Sequence, residues 1–98
     1  MKEYNVNVTN QFLEELDEIL YFFPNSNLLK RKMYYEIKNI LSTLSIFPER
    51  YIKIQNFRDN IRKLTINKFV IIYKVDNVKN QVYILHIFSE KQDYYNLI

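Results

Sequence analysis

Apolar residues change their spacing from one segment of this chain to the next. Tyr4, Val6 and Val8 alternate with Glu3, Asn5 and Asn7, a two-residue period that predicts a half-buried strand over residues 2–8. Phe12, Leu16, Ile19, Leu20 and Phe23 then fall every three or four residues, which predicts a helix over 11–23 with Thr9 or Asn10 as its N-cap. Glu14, Glu15, Asp17 and Glu18 take the other positions and read as a solvated acidic face near the positive end of the helix dipole. Pro24 stops this helix, and Asn25, Ser26 and Asn27 make a turn. Leu29, Met33, Ile37, Ile40, Leu41 and Leu44 mark a second helix that ends near Phe47, ahead of Pro48. Two amphipathic helices across a short turn predict an antiparallel helical hairpin.

The second half reads differently. Three runs rich in Ile, Val, Tyr and Phe span residues 61–66, 69–75 and 81–88. Asn67-Lys68 and residues 76–80 separate them, with Asn and Asp standing in for glycine at the turns. That is an antiparallel meander. Residues 49–60 are mixed; Tyr51, Ile52 and Ile54 suit a short strand or an irregular crossing. The expected fold is α+β, one domain over residues 1–98 in the order β-α-α-β-β-β. A helical hairpin packs on a small twisted, mostly antiparallel sheet.

Alternation also assigns faces. One sheet face covers the hairpin. The other is expected to hold Val70, Ile72, Val82, Ile84 and Phe88, too apolar for a solvated face, and the chain has no third full helix to cover it. These five residues are the candidate partner-binding surface, with a folded-back tail as the alternative cover.

Charge is divided between the halves. Residues 1–49 carry five Lys and Arg against seven Asp and Glu; residues 50–98 carry nine against four. The sheet half is the basic half, which favours an anionic partner such as RNA or an acidic peptide, although scattered lysines also suit a solvated surface. Lys63, Lys68 and Lys91 are its candidate basic surface. Lys30, Arg31 and Lys32 form a denser cluster, but successive helical residues turn about 100° apart, so the three fan out. With no cysteine there are no disulfides or thiolate metal sites, and with no glycine there are no phosphate-cradling glycine loops. No metal or cofactor is expected. No apolar run is long enough to span a bilayer and no signal-like segment opens the chain, so a cytoplasmic protein is expected. His86, the only histidine, is a weak candidate for general acid–base chemistry, since a lone histidine among Ile84 and Phe88 is more often a packed residue.

The layout resembles the RelE/ParE superfamily of bacterial type II toxins, and closer to its ParE-like members. The pieces that carry the resemblance are Val8-Thr9 followed by Phe12-Leu13-Glu14-Glu15-Leu16, then Leu44 with Phe47-Pro48-Glu49-Arg50, Ile61-Arg62-Lys63-Leu64, the run from Phe69 to Asp76, and the run from Val82 to Phe88. Their order and spacing matter more than any one of them. The resemblance implies a small growth-inhibiting toxin neutralised by a cognate antitoxin that wraps its sheet and helices in a hetero-oligomer. RelE-like members cleave mRNA on the ribosome with cationic side chains on the outer sheet face, where an RNA 2′-OH attacks the adjacent phosphate. ParE-like members share the fold and are linked to DNA gyrase inhibition without RNA cleavage.

This chain departs from the nuclease pattern. Val70 stands where a catalytic-type arginine would be, Ser89 where a histidine would be, and Lys91 where an arginine would be. Lys63, His86 and Lys91 remain as catalytic candidates. Arg62 is expected to be structural, in an ion pair or bonded to carbonyls. The expectation is therefore a binding toxin, not an enzyme; an endoribonuclease, or a degenerate toxin or interaction module, is the alternative.

Overall fold

The structure, a computed structural model, describes residues 3–21 and 27–91. Strand β1 (Asn5–Val8) leads into helix α1 (Asn10–Tyr21), helix α2 (Asn27–Thr43) and the strands β2 (Asn60–Ile66), β3 (Phe69–Asp76) and β4 (Gln81–Ser89). The sheet order is β1-β4-β3-β2. β1 pairs parallel to β4, and the other two pairings are antiparallel. The β-α-α-β-β-β order and the mostly antiparallel sheet are those expected from the sequence. The turn at Pro24–Ser26 and the tail tyrosines Tyr94 and Tyr95 lie outside the described residues.

Local chemistry sets the ends of the elements. Thr9 is the N-cap of α1: its Oγ1 accepts the Phe12 N–H at 3.2 Å. α2 stops at Thr43, four residues short of the expected Phe47. The hydroxyls of Ser42, Thr43 and Ser45 donate to the carbonyls of Asn39, Ile40 and Ser42, offering those oxygens a partner other than the next helical N–H. Asn56, Asn67, Lys68 and Asn80 adopt positive φ of 74°, 46°, 67° and 53°. Three of the four are asparagine, the residue that tolerates the left-handed region best after glycine.

The sheet is apolar on both faces. Toward the helices, Phe12, Leu16, Met33, Ile37, Leu41 and Leu44 pack with Leu64, Ile66, Ile71, Tyr73, Val75, Val82, Ile84 and Ile87. On the opposite face Ile54, Ile61, Val70, Ile72 and Phe88 form a second, smaller core, with Phe57 and Leu85 against it. The irregular crossing of residues 48–60 covers this second core. It is laced to β2, where Ile54 N–H donates to Ile61 O at 2.8 Å and Lys63 N–H donates to Ile52 O at 3.0 Å.

One irregularity rearranges the faces. β3 and β4 pair Ile72 with His86 but Tyr73 with Ile84, so Leu85 is an extra residue, a β-bulge. Strict alternation puts Val82 and Ile84 on the face of Phe88. The bulge reverses the parity beyond it, and both turn toward the helices together with Ile87.

Candidate functional site

β1 stops at Val8, so β4 runs on beyond it with an unpaired edge. α1 supplies what the missing strand would. Thr9 donates to Ile84 O through its backbone N–H at 3.2 Å and its Oγ1 at 2.7 Å. Nearly two turns later Glu15 reaches the same edge. Its Oε1 accepts the Ile87 N–H at 3.3 Å and lies 3.1 Å from His86 Nδ1, with Oε2 at 3.3 Å. The His86 ring also stacks on Phe88, with centroids 5.0 Å apart and planes 18° from parallel. A carboxylate on Nδ1 favours the tautomer that carries its proton there and leaves Nε2 as the other ring nitrogen for chemistry. Sequence reasoning placed Glu15 on a solvated acidic face. Its partner is 71 residues away, so no local pattern marks it.

The catalytic candidates do not converge on one point. Lys63 stands opposite Ile72, which stands opposite His86, so a buried isoleucine separates the two in one row across the outer face. Lys68 and Lys91 are both exposed at one end of the sheet, where Lys68 O accepts the Glu90 N–H at 2.9 Å. Among the described residues no group of three or more His, Cys, Asp or Glu is arranged to hold a metal ion, and no helix is long and apolar enough to cross a membrane.

The five residues assigned to an exposed partner face are not exposed. Val70, Ile72, Val82, Ile84 and Phe88 are 3%, 0%, 0%, 0% and 6% accessible. They also belong to two different cores, Val82 and Ile84 to the helix side and the other three to the outer side. The bulge at Leu85 explains the division, and the 48–60 crossing explains the burial.

Arg62 is structural. It pairs with Glu49 at 2.8 Å and donates to the carbonyls of Tyr51 at 2.7 Å and Glu49 at 3.1 Å, fastening the crossing to β2. Tyr73 works beside it: its buried hydroxyl donates to Pro48 O at 2.7 Å. Burial pushes the Tyr73 phenol up to about 12, against the lowering influence of Arg62.

Exposed apolar surface lies instead on the hairpin. A groove of about 130 Å³ between α1 and α2 has Phe12, Leu16, Ile37 and Leu41 in its floor and Val8, Leu13 and Tyr34 along its lip. Val8 and Leu13 are 43% and 44% accessible. Stripe reasoning named the floor residues as core and missed the lip, because neither Leu13 nor Tyr34 sits on the core-facing stripe of its helix.

The sequence matches the family described as the ParE toxin of type II toxin-antitoxin systems, parDE, over residues 6–94. This chain belongs to the ParE toxin family. Solved structures agree on the fold. The chromosomal ParDE toxin–antitoxin system of P. aeruginosa is 17% identical with a TM-score of 0.71, covering 91% of this chain and 98% of its own. The RelBE2 toxin–antitoxin complex of Mycobacterium tuberculosis is 17% identical with a TM-score of 0.65, covering 89% and 98%. The archaeal RelE–RelB complex of Pyrococcus horikoshii is 20% identical with a TM-score of 0.60, covering 94% and 99%. None of the curated proteins matches the chain. Val70 of this ParE-family chain is packed in the second core with Phe88 and Ile54.

Proposed function

We propose that this chain is the growth-inhibiting toxin of a toxin–antitoxin pair, that it acts by binding a cytoplasmic target of the DNA gyrase class without cleaving RNA, and that a cognate antitoxin neutralises it in a hetero-oligomer. The observation that carries the binding mode is Val70. A side chain buried there offers no cation to a phosphate, and the remaining candidates Lys63 and His86 have Ile72 between them. Phosphoryl chemistry on RNA needs several cations converging on the developing charge. The groove between α1 and α2 supports an antitoxin helix as the neutralising contact, since an amphipathic helix laid into a hydrophobic groove is a recurring recognition mode. Expression of the chain alone is expected to arrest growth, and the purified chain to inhibit gyrase supercoiling. Unaffected supercoiling overturns the gyrase reading.

The Glu15–His86 pair favours one alternative, a ribosome-dependent endoribonuclease in which His86 Nε2 handles the proton. Primer extension on translating ribosomes separates the two. Cuts in the ribosomal A site that vanish in His86→Ala support the alternative, and their absence removes it. No growth inhibition at all points to a degenerate toxin or an interaction module.

A further inference from the structure

The basic cluster of α2 has a use that the toxin reading leaves unassigned. Lys30 and Arg31 line a shallow depression of about 370 Å³ together with Leu20, Tyr34 and Tyr35. Lys32 diverges to another depression, beside Met33, Glu36 and Asn67. The cluster that fans out in sequence therefore sends two of its three cations to one place. Lys30, Tyr34 and Lys38 are four residues apart and form one ridge of the helix, and Arg31 and Tyr35 form the next. Along the first ridge cation, ring and cation succeed one another in steps of about 6 Å.

The two rings are open to solvent. Tyr34 and Tyr35 are 51% and 59% accessible, and they meet edge to face with centroids 6.2 Å apart at 77°. Lys30 and Arg31 pair with no carboxylate among the described residues. Charge on the hairpin is polarised: α1 carries Glu14, Asp17 and Glu18 on its exposed surface, while α2 carries Lys30, Arg31, Lys32 and Lys38 against Glu36. The positive field therefore sits on the α2 side, where the tyrosines are. Open aromatic faces set between cations match a chain of phosphates that carries a stackable ring at each step.

We propose that this face of α2 binds single-stranded nucleic acid, with bases stacking on Tyr34 and Tyr35 and phosphates pairing with Lys30, Arg31 and Lys38. The site is separate from the outer sheet face, borders the α1–α2 groove through Tyr34 and Lys38, and is independent of which cellular target the toxin has. Stacking and phosphate pairing do not read the sugar, so oligo(dT) and oligo(rU) bind alike. A duplex keeps its bases stacked inside and binds more weakly.

Fluorescence anisotropy of the purified chain with labelled oligo(dT) and oligo(rU) of about ten nucleotides tests this. Binding is expected to weaken with salt, with a log–log slope of about −2 for three cations on a single strand. Tyr34→Ala/Tyr35→Ala is expected to weaken binding by about thirtyfold or more, whereas Tyr34→Phe/Tyr35→Phe keeps the rings and keeps binding. Lys30→Gln/Arg31→Gln is expected to bring the slope toward about −0.7. Circular dichroism melting confirms that each variant is folded. Three results overturn the proposal: unchanged binding in the folded Tyr→Ala double variant, a duplex of equal length binding as tightly, or displacement of the strand by poly-glutamate at equal charge concentration, which marks the surface as one for acidic polypeptides.

Discussion

The outer face of the sheet and the outer surface of the helical hairpin are both rich in apolar side chains, yet only one of them is a surface. On the sheet, Val70, Ile72 and Phe88 are covered by Ile54 and Phe57 of the 48–60 crossing. On the hairpin, Leu13, Tyr34 and Tyr35 stay open, with Val8 of β1 beside them. Hydrophobicity alone ranks the two the wrong way round, because the sheet face is the more apolar. The difference lies in the backbone. Edge strand β2 offers hydrogen bonds that draw an irregular segment across the sheet, and Arg62 fastens that segment to Glu49 and to the Tyr51 carbonyl. Helices α1 and α2 satisfy most of their backbone groups internally, and among the described residues no segment covers their outer surface.

The sharpest way to break this comparison is Ile72→Asp. Ile72 is fully buried in the second core, and a buried unpaired carboxylate is expected to cost about 4 kcal/mol or more. Against a total stability of roughly 5–15 kcal/mol that is near or past unfolding. Urea denaturation followed by circular dichroism reads it. A variant as stable as the parent means the outer face is a surface after all.

Glu15→Ala comes next. It leaves the Ile87 N–H and the His86 ring at the β4 edge without their acceptor, with an expected loss of about 1–3 kcal/mol. Hydrogen exchange at the Ile87 amide is expected to speed up more than that of the β3 amides. Equal change throughout the sheet sinks the assignment of Glu15 as a local clamp.

Tyr73→Phe removes the bond to Pro48 O and is expected to cost about 1 kcal/mol. It carries a pH signature as well. The folded-state pKa of about 12 lies above the ordinary value of 10.0, so the neutral phenol favours the fold. That contribution is complete below pH 10 and is lost as pH rises toward 12. Unfolding free energies measured across this window are expected to fall more steeply for the parent than for the Phe variant; parallel slopes contradict the burial argument.

Leu13→Ala should have the smallest effect on stability, within about 0.5 kcal/mol, since its side chain is already exposed. Its consequence is expected in binding: co-expression with the antitoxin should neutralise this variant less well than the parent. Full neutralisation argues against the groove as the antitoxin contact.

Much of the fold is legible in residue spacing, because period 2 and period 3.6 are local properties of strands and helices. The order of elements, the hairpin, the Asn67-Lys68 turn and the capping role of Thr9 all follow from neighbours in sequence. The structural role of Arg62 agrees with what its place in the family layout implied. The site is less legible. Glu15 and His86 meet only because α1 fills the edge that short β1 leaves open. Lys63 and His86 share a row only through register, and the same register puts Ile72 between them.

By itself the sequence determined which segments are helix and which are strand, and a basic sheet half without cysteine or glycine chemistry. Tertiary structure decided which apolar face is core. A single bulge at Leu85 moves Val82 and Ile84 from one side of the sheet to the other, and a segment with no regular period covers the face they leave. Neither event has a local signature: a bulge is one residue of misalignment against a partner strand, and burial depends on what crosses over a surface, not on what the surface is made of.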